Sequence, residues 1–420
     1  MTTRLSIYSG VCAAIFCAAS SWAPVQAQLT QGEAALQLQL NSITTAVPFL
    51  NIAPDSRSSG LGDAGVALSP DGSSLHWNPA QMAFSESEFE MNLGYAPWLR
   101  ALVNDMSIAY VGGYRKLNDR QAFGAALRYF SLGDITFTDI TGQAIRDFSP
   151  SEFSLDFGFA QKLSKTWSGG VAARYIHSNL TGGTNILGAD SRPGRSAAVD
   201  IGVFHTNNKV SYGQKDGIFN WGLSISNIGA KMSYTESAEQ DFIPTNLRTG
   251  VAMTMLMDDY NSLTFTVDAN KLLVPSAPVY DQNNHDEIVS GYNPDVGVAT
   301  GMIQSFYDAP GLVTQNLDGT YYIEPGSVLK EEIREVNIGG GLEYDFNGVF
   351  AFRGGYFYEH YTKGNRQFIT LGAGMKYTVF TVDMSYLVST TQQNPLEGTL
   401  RFTMRMSFDG LALDEDPANL

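Results

Sequence analysis

The chain has 420 residues, 44% of them hydrophobic, with a net charge of -16 and a mean hydropathy of -0.10. That acidic balance excludes a nucleic-acid partner and otherwise signals only a soluble surface. Gly 42, Phe 24 and Tyr 20 stand beside just two cysteines, and no downstream run is long and apolar enough for a membrane helix.

The first element is a secretory signal peptide over residues 1–27. Arg4 precedes an Ala-rich apolar run from Val11 to Ala19, and Val25-Gln26-Ala27 supplies small residues for cleavage before Gln28. Both cysteines, Cys12 and Cys17, fall inside it, so the mature chain has none and thiol chemistry is excluded.

Residues 28–86 form the next element, expected to be a periplasmic amino-terminal segment and lumen plug. Pro48, Pro54, Pro70 and Pro79, with Gly60, Gly62, Gly65 and Gly72, rule out long regular structure. A solvated linker has no use for Val47, Pro48, Phe49, Leu50 and Trp77, which favour a plug together with the Asn78-Pro79-Ala80 that follows.

From 87 to 409 the chain resolves into about fourteen alternating segments of roughly ten to twelve residues, the length a tilted strand needs to cross a bilayer. The expected fold is all-β, a transmembrane antiparallel barrel. In the fourth segment Phe153, Leu155, Phe157 and Phe159 share the lipid face and Asp156 the other. An arginine facing lipid at midplane costs about 2–4 kcal/mol. Arg401 and Arg405, alternating with Phe402, Met404 and Met406, must therefore face a wet lumen. The same parity sends Asp156, Lys162, Arg174, Asp200, Asp268, Glu343, Arg353, Lys376 and Asp383 inward. The fifth segment is less clean, because Arg174 inside puts Ala173, Tyr175 and His177 outside, and a slip or bulge remains an alternative. Trp167 and Tyr175 suit interfacial girdles.

Connections alternate in length. Tight turns follow the second, fourth, eighth, tenth and twelfth segments, at Leu117–Arg120, Ser164–Thr166, Asp258-Asp259, Asn347-Gly348 and near Thr378. The sixth connection, Asn207 to Asp216, reads as longer than a turn. The odd connections include one spanning 274–333. That sorting places both ends of the barrel and the tight turns in the periplasm and the long loops outside, in the outer membrane of a Gram-negative bacterium. Residues 410–420, with Asp414-Glu415-Asp416, form an acidic periplasmic tail, and Phe408 is a candidate for the barrel-assembly signal.

Two surfaces are candidate binding sites for protein partners. Trp98, Leu99, Arg100 and Leu102 in the first outer loop combine hot-spot residue types, with a headgroup anchor in outer-membrane lipid as the plainer alternative. Tyr280, Tyr292, Phe306, Tyr307, Tyr321 and Tyr322 in the long loop sit among polar neighbours, with a self-packed cap as the alternative. His76, His177, His205, His285 and His360 lack metal spacing. A hydrolase would need a His-Ser pair built on His177 or His360, and these read more simply as rim or girdle histidines. Neither enzyme activity nor a cofactor is expected. Gly339-Gly340-Gly341 and Gly112-Gly113 read as bends or close packing against a plug.

The Asn78-Pro79-Ala80 signature resembles the hatch of FadL-like outer-membrane transporters, which are fourteen-stranded barrels. The longer runs "ITTAVPFLNIAPDSRSSGLGDAGVALSPDGSSLHWNPA" and "YAPWLRALVNDMSIAYVGGYRKL" resemble the PorV (LptO) family of the type IX secretion system. That resemblance implies association with a large SprA/Sov-type translocon barrel and capture of exported proteins by their carboxy-terminal signal domains. It also implies delivery of that cargo to a PorU-type sortase complex for attachment to surface lipopolysaccharide. A deacylase activity has been suggested for the family, and no constellation in this chain supports it. The other reading is a FadL-type channel for hydrophobic small molecules, which requires an apolar pocket reaching a lateral gap in the wall.

Overall fold

A computed structural model describes residues 40–408, apart from 101, 139–140, 184, 187–188, 214, 236–239, 282–283, 285, 317–319 and 392–393. The signal peptide, the acidic tail and His285 lie outside the described residues. Fourteen strands alternate between buried and exposed positions: β1 (Phe89–Pro97), β2 (Ser107–Asn118), β3 (Gln121–Ser131), β4 (Ser151–Lys162), β5 (Trp167–Asn179), β6 (Gly194–Tyr212) and β7 (Lys215–Gly229), then β8 (Asn246–Leu256), β9 (Asn261–Leu272), β10 (Asn337–Phe346), β11 (Phe350–Tyr358), β12 (Gln367–Tyr377), β13 (Phe380–Ser389) and β14 (Leu400–Phe408). Each pairs antiparallel with the next, and β14 returns to β1 from Phe89↔Phe408 to Tyr95↔Phe402. Closure leaves no ladder edge unpaired, the condition for a sheet to stand in hydrocarbon. No helix among the described residues is long and apolar enough to cross a membrane.

The loop parity is sharper than the sequence suggests. The sixth connection is a tight turn, because β6 and β7 stay paired to Tyr212↔Lys215, with a register break between Asn207 and Val210. The polar Asn207-Asn208-Lys209 run reads as loop in sequence. A hairpin protruding into water tolerates polar residues on both faces, so its ladder continues through that run. Asn347 and Gly348 take φ of 57 and 63, the double positive values of a two-residue hairpin turn. The fifth strand shows no slip against either neighbour, so Arg174 points in and Tyr175 out.

Residues 40–84 fill the lumen. The described chain begins among the long loops, where Asn41 donates its amide to Thr362 O at 3.1 Å and Ala46 to Phe242 O at 2.9 Å. It reaches β1 at the opposite end, where Glu88 O accepts from Lys116 at 2.8 Å. Residues 28–86 were expected to begin on the periplasmic side; the described part, from Leu40 on, instead starts at the outer mouth and runs the length of the barrel. Short elements succeed one another on the way: a 3-10 turn at Pro48–Asn51, α1 (Ser56–Ser59), α2 (Ser74–Trp77) and a second 3-10 turn at Pro79–Phe84. Asp55 caps α1 by accepting from Ser58 N at 2.8 Å, and Asn78 caps the last turn by accepting from Ala80 N at 3.0 Å.

The wall is pared to glycine where the plug touches it. A Cβ on Gly170 would lie 2.4 Å from Ala80 N, and one on Gly339 would lie 2.1 Å from Gly62 O. Gly339 and Gly341 of β10 are thus sites of close backbone approach. Near the outer end Val47, Phe49 and Leu50 are buried against Ile108, Phe130 and Ile176, with Phe49 and Phe130 stacked at 6.1 Å.

The long loop carries two small hairpins, Val279–Tyr280 with Ile288–Ser290 and Val313–Gln315 with Tyr321–Ile323, and two helices, α3 (Val298–Gln304) and α4 (Ser327–Arg334).

Candidate functional site: the filled lumen and the outer mouth

The inward charges assemble into networks that bolt the plug to the wall. Plug residue Arg57 makes a fork with Glu343 of β10, Nε to Oε2 at 3.1 Å and Nη2 to Oε1 at 3.0 Å. Glu343 meets Arg353 at 2.6 Å, Arg353 meets Asp383 at 2.6 Å, and Asp383 meets Arg405 at 3.0 Å. Arg405 then reaches plug residue Asp71 at 3.8 Å, and Asp71 returns to Arg57 at 3.2 Å. Six groups of alternating sign thereby close a ring across β10, β11, β13, β14 and the plug. Each ion has two opposite neighbours, which is how charges tolerate removal from water.

Arg174 sits in a second network between Asp156 at 2.6 Å and Asp200 at 3.0 Å. Asp268 accepts the backbone N–H of Gly65 at 2.7 Å and of Val66 at 2.9 Å. Arg401 pairs with Asp63 at 3.1 Å. Asp156, Arg174, Asp200, Asp268, Glu343, Arg353, Asp383, Arg401 and Arg405 therefore each have a luminal partner, whereas Lys162 only lies 4.9 Å over the Phe84 ring and Lys376 is exposed near the end of β12. Sequence reasoning omitted Arg128 and Arg248, which obey the same parity. Buried Arg128 donates to Leu50 O at 2.6 Å and Phe49 O at 3.2 Å and meets His76 Nδ1 at 2.6 Å. Arg248 lies 4.5 Å over the Trp77 ring, whose Nε1–H donates to Asp55 at 2.7 Å. Arg57 and Asp71 belong to an aperiodic segment, where no pattern marks an inward side chain. Asn78, with no exposed surface, spans from the plug to Val203 O of β6 at 3.0 Å.

Two cavities in the lumen differ in their lining. One of about 380 Å³ at the short-turn end touches Arg57, Glu90, Glu343, Arg353, Asp383 and Arg405. One of about 280 Å³ at the outer end sets Glu335, Lys363 and Arg366 beside Ile43, Pro48 and Leu272.

The two outer candidate surfaces behave differently. Trp98 and Leu99 are half-buried on the apolar cluster of Phe357, Phe368, Leu387 and Leu396, and Arg401 lies 5.7 Å over the Trp98 ring. Arg100 and Leu102 face solvent. In the long loop Tyr280, Tyr292, Phe306, Tyr307 and Tyr322 are exposed, and half-buried Tyr321 accepts from Gln315 at 3.2 Å. Tyr292 and Tyr307 meet edge-on at 5.5 Å. The loop is thus folded on itself while still displaying its aromatics.

Ion pairs pin that loop to the barrel. Lys271 at the end of β9 meets Glu332 at 3.1 Å and Glu335 at 2.6 Å. Lys363, between β11 and β12, meets Glu331 at 2.6 Å and Glu335 at 2.9 Å. Burial acts against the Glu335 anion, yet Lys363 and Lys271 outweigh it and hold the carboxyl below its usual range. Asp308 has no such cation beside it among the described residues. Burial pushes it up to about 6, opposed by the Ser276 N–H it accepts at 3.1 Å and reinforced by Glu332 and Glu335.

His177 lies outward on β5 against Phe153 at 5.1 Å, and His205 against Trp167 at 4.5 Å. His360 meets Thr362 Oγ1 at 2.9 Å, and burial with Arg334, Lys363 and Lys330 nearby lowers it to about 4. No group of three or more candidate ligands for a metal ion occurs among the described residues.

A family model for the type IX secretion system protein PorV matches residues 35–279, more than half of the chain, through the plug and the first nine strands. The chain belongs to the PorV family. This PorV-family barrel is accordingly an outer-membrane component of a type IX secretion system of a Gram-negative bacterium and works with that system's partner complexes. Among solved structures it is similar to the Ralstonia pickettii toluene transporter TbuX (10% identity, TM-score 0.44, 88% of this chain and 100% of that one). It is also similar to the Pseudomonas putida toluene transporter TodX (11%, 0.42, 87% and 98%) and to a Pseudomonas aeruginosa FadL homologue (11%, 0.38, 88% and 99%). Among curated proteins none matches.

Proposed function

We propose that this PorV-family barrel receives exported proteins by their carboxy-terminal signal domains at a SprA/Sov-type translocon barrel and carries them to a PorU-type sortase complex. The observation that carries the reading is the bolted plug. A lumen crossed end to end by its own chain, and cross-linked to β10, β11, β13 and β14 by a ring of ion pairs, is a poor conduit, which leaves the outer mouth as the working surface. That mouth offers exposed Tyr292, Phe306 and Tyr322 on a loop held by ion pairs, with exposed Leu102 on the first outer loop, and rigid aromatic anchors lose little entropy on binding a partner. A FadL-type channel calls for an apolar hatch-lined pocket, whereas the larger luminal cavity is lined mainly with polar and charged groups and the smaller sets Glu335, Lys363 and Arg366 beside Ile43, Pro48 and Leu272.

The test places photo-crosslinking residues at Leu102 and Tyr322 in cells that secrete through the system. Cargo joined through its carboxy-terminal signal domain is the expected product. Capture of lipid alone at both positions refutes the reading.

A further inference from the structure

The outer wall of β1–β4 carries a cup. Cross-strand pairing sets Met91, Gly113, Ala125 and Phe157 side by side in one row of the lipid-facing surface. The row toward the long loops reads Leu93, Val111, Leu127, Leu155, and the row toward the tight turns reads Phe89, Arg115, Phe123, Phe159. Two small residues therefore floor a depression walled by larger side chains, a cleft of about 490 Å³.

Arg115 forms part of its rim at the tight-turn end. It is exposed, its side chain has no hydrogen-bond or ion-pair partner among the described residues, and it lies opposite Phe89, the first residue of β1. At that level a lipid-facing arginine costs about 0–1 kcal/mol instead of the several it costs at midplane. It sits where headgroup phosphates of the periplasm-facing leaflet lie. The turn residue Arg120 adds positive charge beside Asp119. Guanidinium forks match phosphate oxygens in pairs. An apolar cup with one unpaired guanidinium at its interfacial edge has the chemistry of a single amphiphile bearing an acyl chain and a phosphate.

We infer that this wall holds one glycerophospholipid of the periplasm-facing leaflet, its acyl chain over Gly113 and Ala125 and its phosphate on Arg115. The site lies outside the lumen and is independent of the cargo reading.

The test counts phospholipid retained by the full barrel in mild detergent, by native mass spectrometry and by phosphorus analysis. Delipidated protein is then titrated with phosphatidylethanolamine. Ala125→Met fills the cup and Arg115→Ser removes the fork; both side chains face outward, so a heat-modifiable band on gels shows that each variant is folded. Ala197→Met makes the same change in a second outer cleft, of about 450 Å³ and lined by Leu155, Tyr175 and Val199, and so tests whether the lipid chooses the first. Wild type and Ala197→Met are expected to retain one lipid, and each cup variant about tenfold less, Arg115→Ser through loss of a charge-assisted hydrogen bond and Ala125→Met through loss of the space for the acyl chain. The inference is overturned by wild type holding no lipid, by either cup variant holding as much as wild type, or by an equal loss in Ala197→Met. Retention of a second membrane protein in place of lipid, lost in the cup variants, overturns it as well.

Discussion

Replacing Arg57 by Met should loosen the plug without opening the wall. Arg57 and Glu343 are 3.0 Å apart, with side-chain exposures of 10% and 9%. At that separation and an effective dielectric of about 20, a unit pair attracts by roughly 5 kcal/mol. Removing one member of a buried pair costs about 3–5 kcal/mol. The lower end applies, because Glu343 keeps Arg353 at 2.6 Å and Asp71 keeps Arg405 at 3.8 Å. A loss of about 3 kcal/mol raises the open-plug population roughly a hundredfold. Amide exchange reads that population when reclosing is fast, so plug peptides over 55–84 should exchange about a hundred times faster in Arg57→Met while β3–β5 stay protected. Lys231→Met removes an outer pair whose Asp295 partner is 80% exposed, and should change exchange by less than about threefold. Unchanged plug exchange in Arg57→Met would refute the claim that the ring holds the plug.

The long loop should respond to pH with a definite sign. Asp308 has its folded value raised to about 6 from the ordinary 3.8, so its contribution is most favourable at low pH and is lost as pH rises through 6. Depressed Glu335 contributes above its usual value and loses that contribution only in more acid solution. Amides over 273–336 should therefore be better protected at pH 5.5 than at 7.5 after correction for intrinsic rates, and Asp308→Asn should flatten the difference; an unchanged dependence in that variant counts against the assignment. Because no cysteine follows Cys17 in the sequence, Leu40→Cys is the sole thiol from residue 18 onward. With Leu40 72% exposed at the outer mouth, an impermeant maleimide should label it in intact cells, as it labels Gln143→Cys, whereas Asp119→Cys should need permeabilised cells. Labelling of position 40 only after permeabilisation contradicts the described path. Met404→Arg, on the lipid face between Leu93 and Val382, should lower barrel stability by about 2–4 kcal/mol in refolding titrations, and a loss under 1 kcal/mol would mean the side chain avoids hydrocarbon.

The strand pattern and the inward charges were legible in the sequence because a pleated wall between two solvents imposes a period of two on every segment. Asp156, Arg174, Glu343 and Arg405 announce their side by the apolar residues that bracket them, and the alternating loop lengths follow from a hairpin array with both barrel ends on one side. Periodicity carries no information about who meets whom across the lumen. That Arg57 and Asp71 close a ring with Arg405, that Asn78 spans from the plug to β6, and that the chain from Leu40 enters at the outer mouth depend on contacts hundreds of residues apart in an aperiodic segment. The reach of the β6–β7 hairpin and the half-burial of Trp98 under Arg401 were decided in the same way, by ladder bonds and packing partners that local composition does not encode.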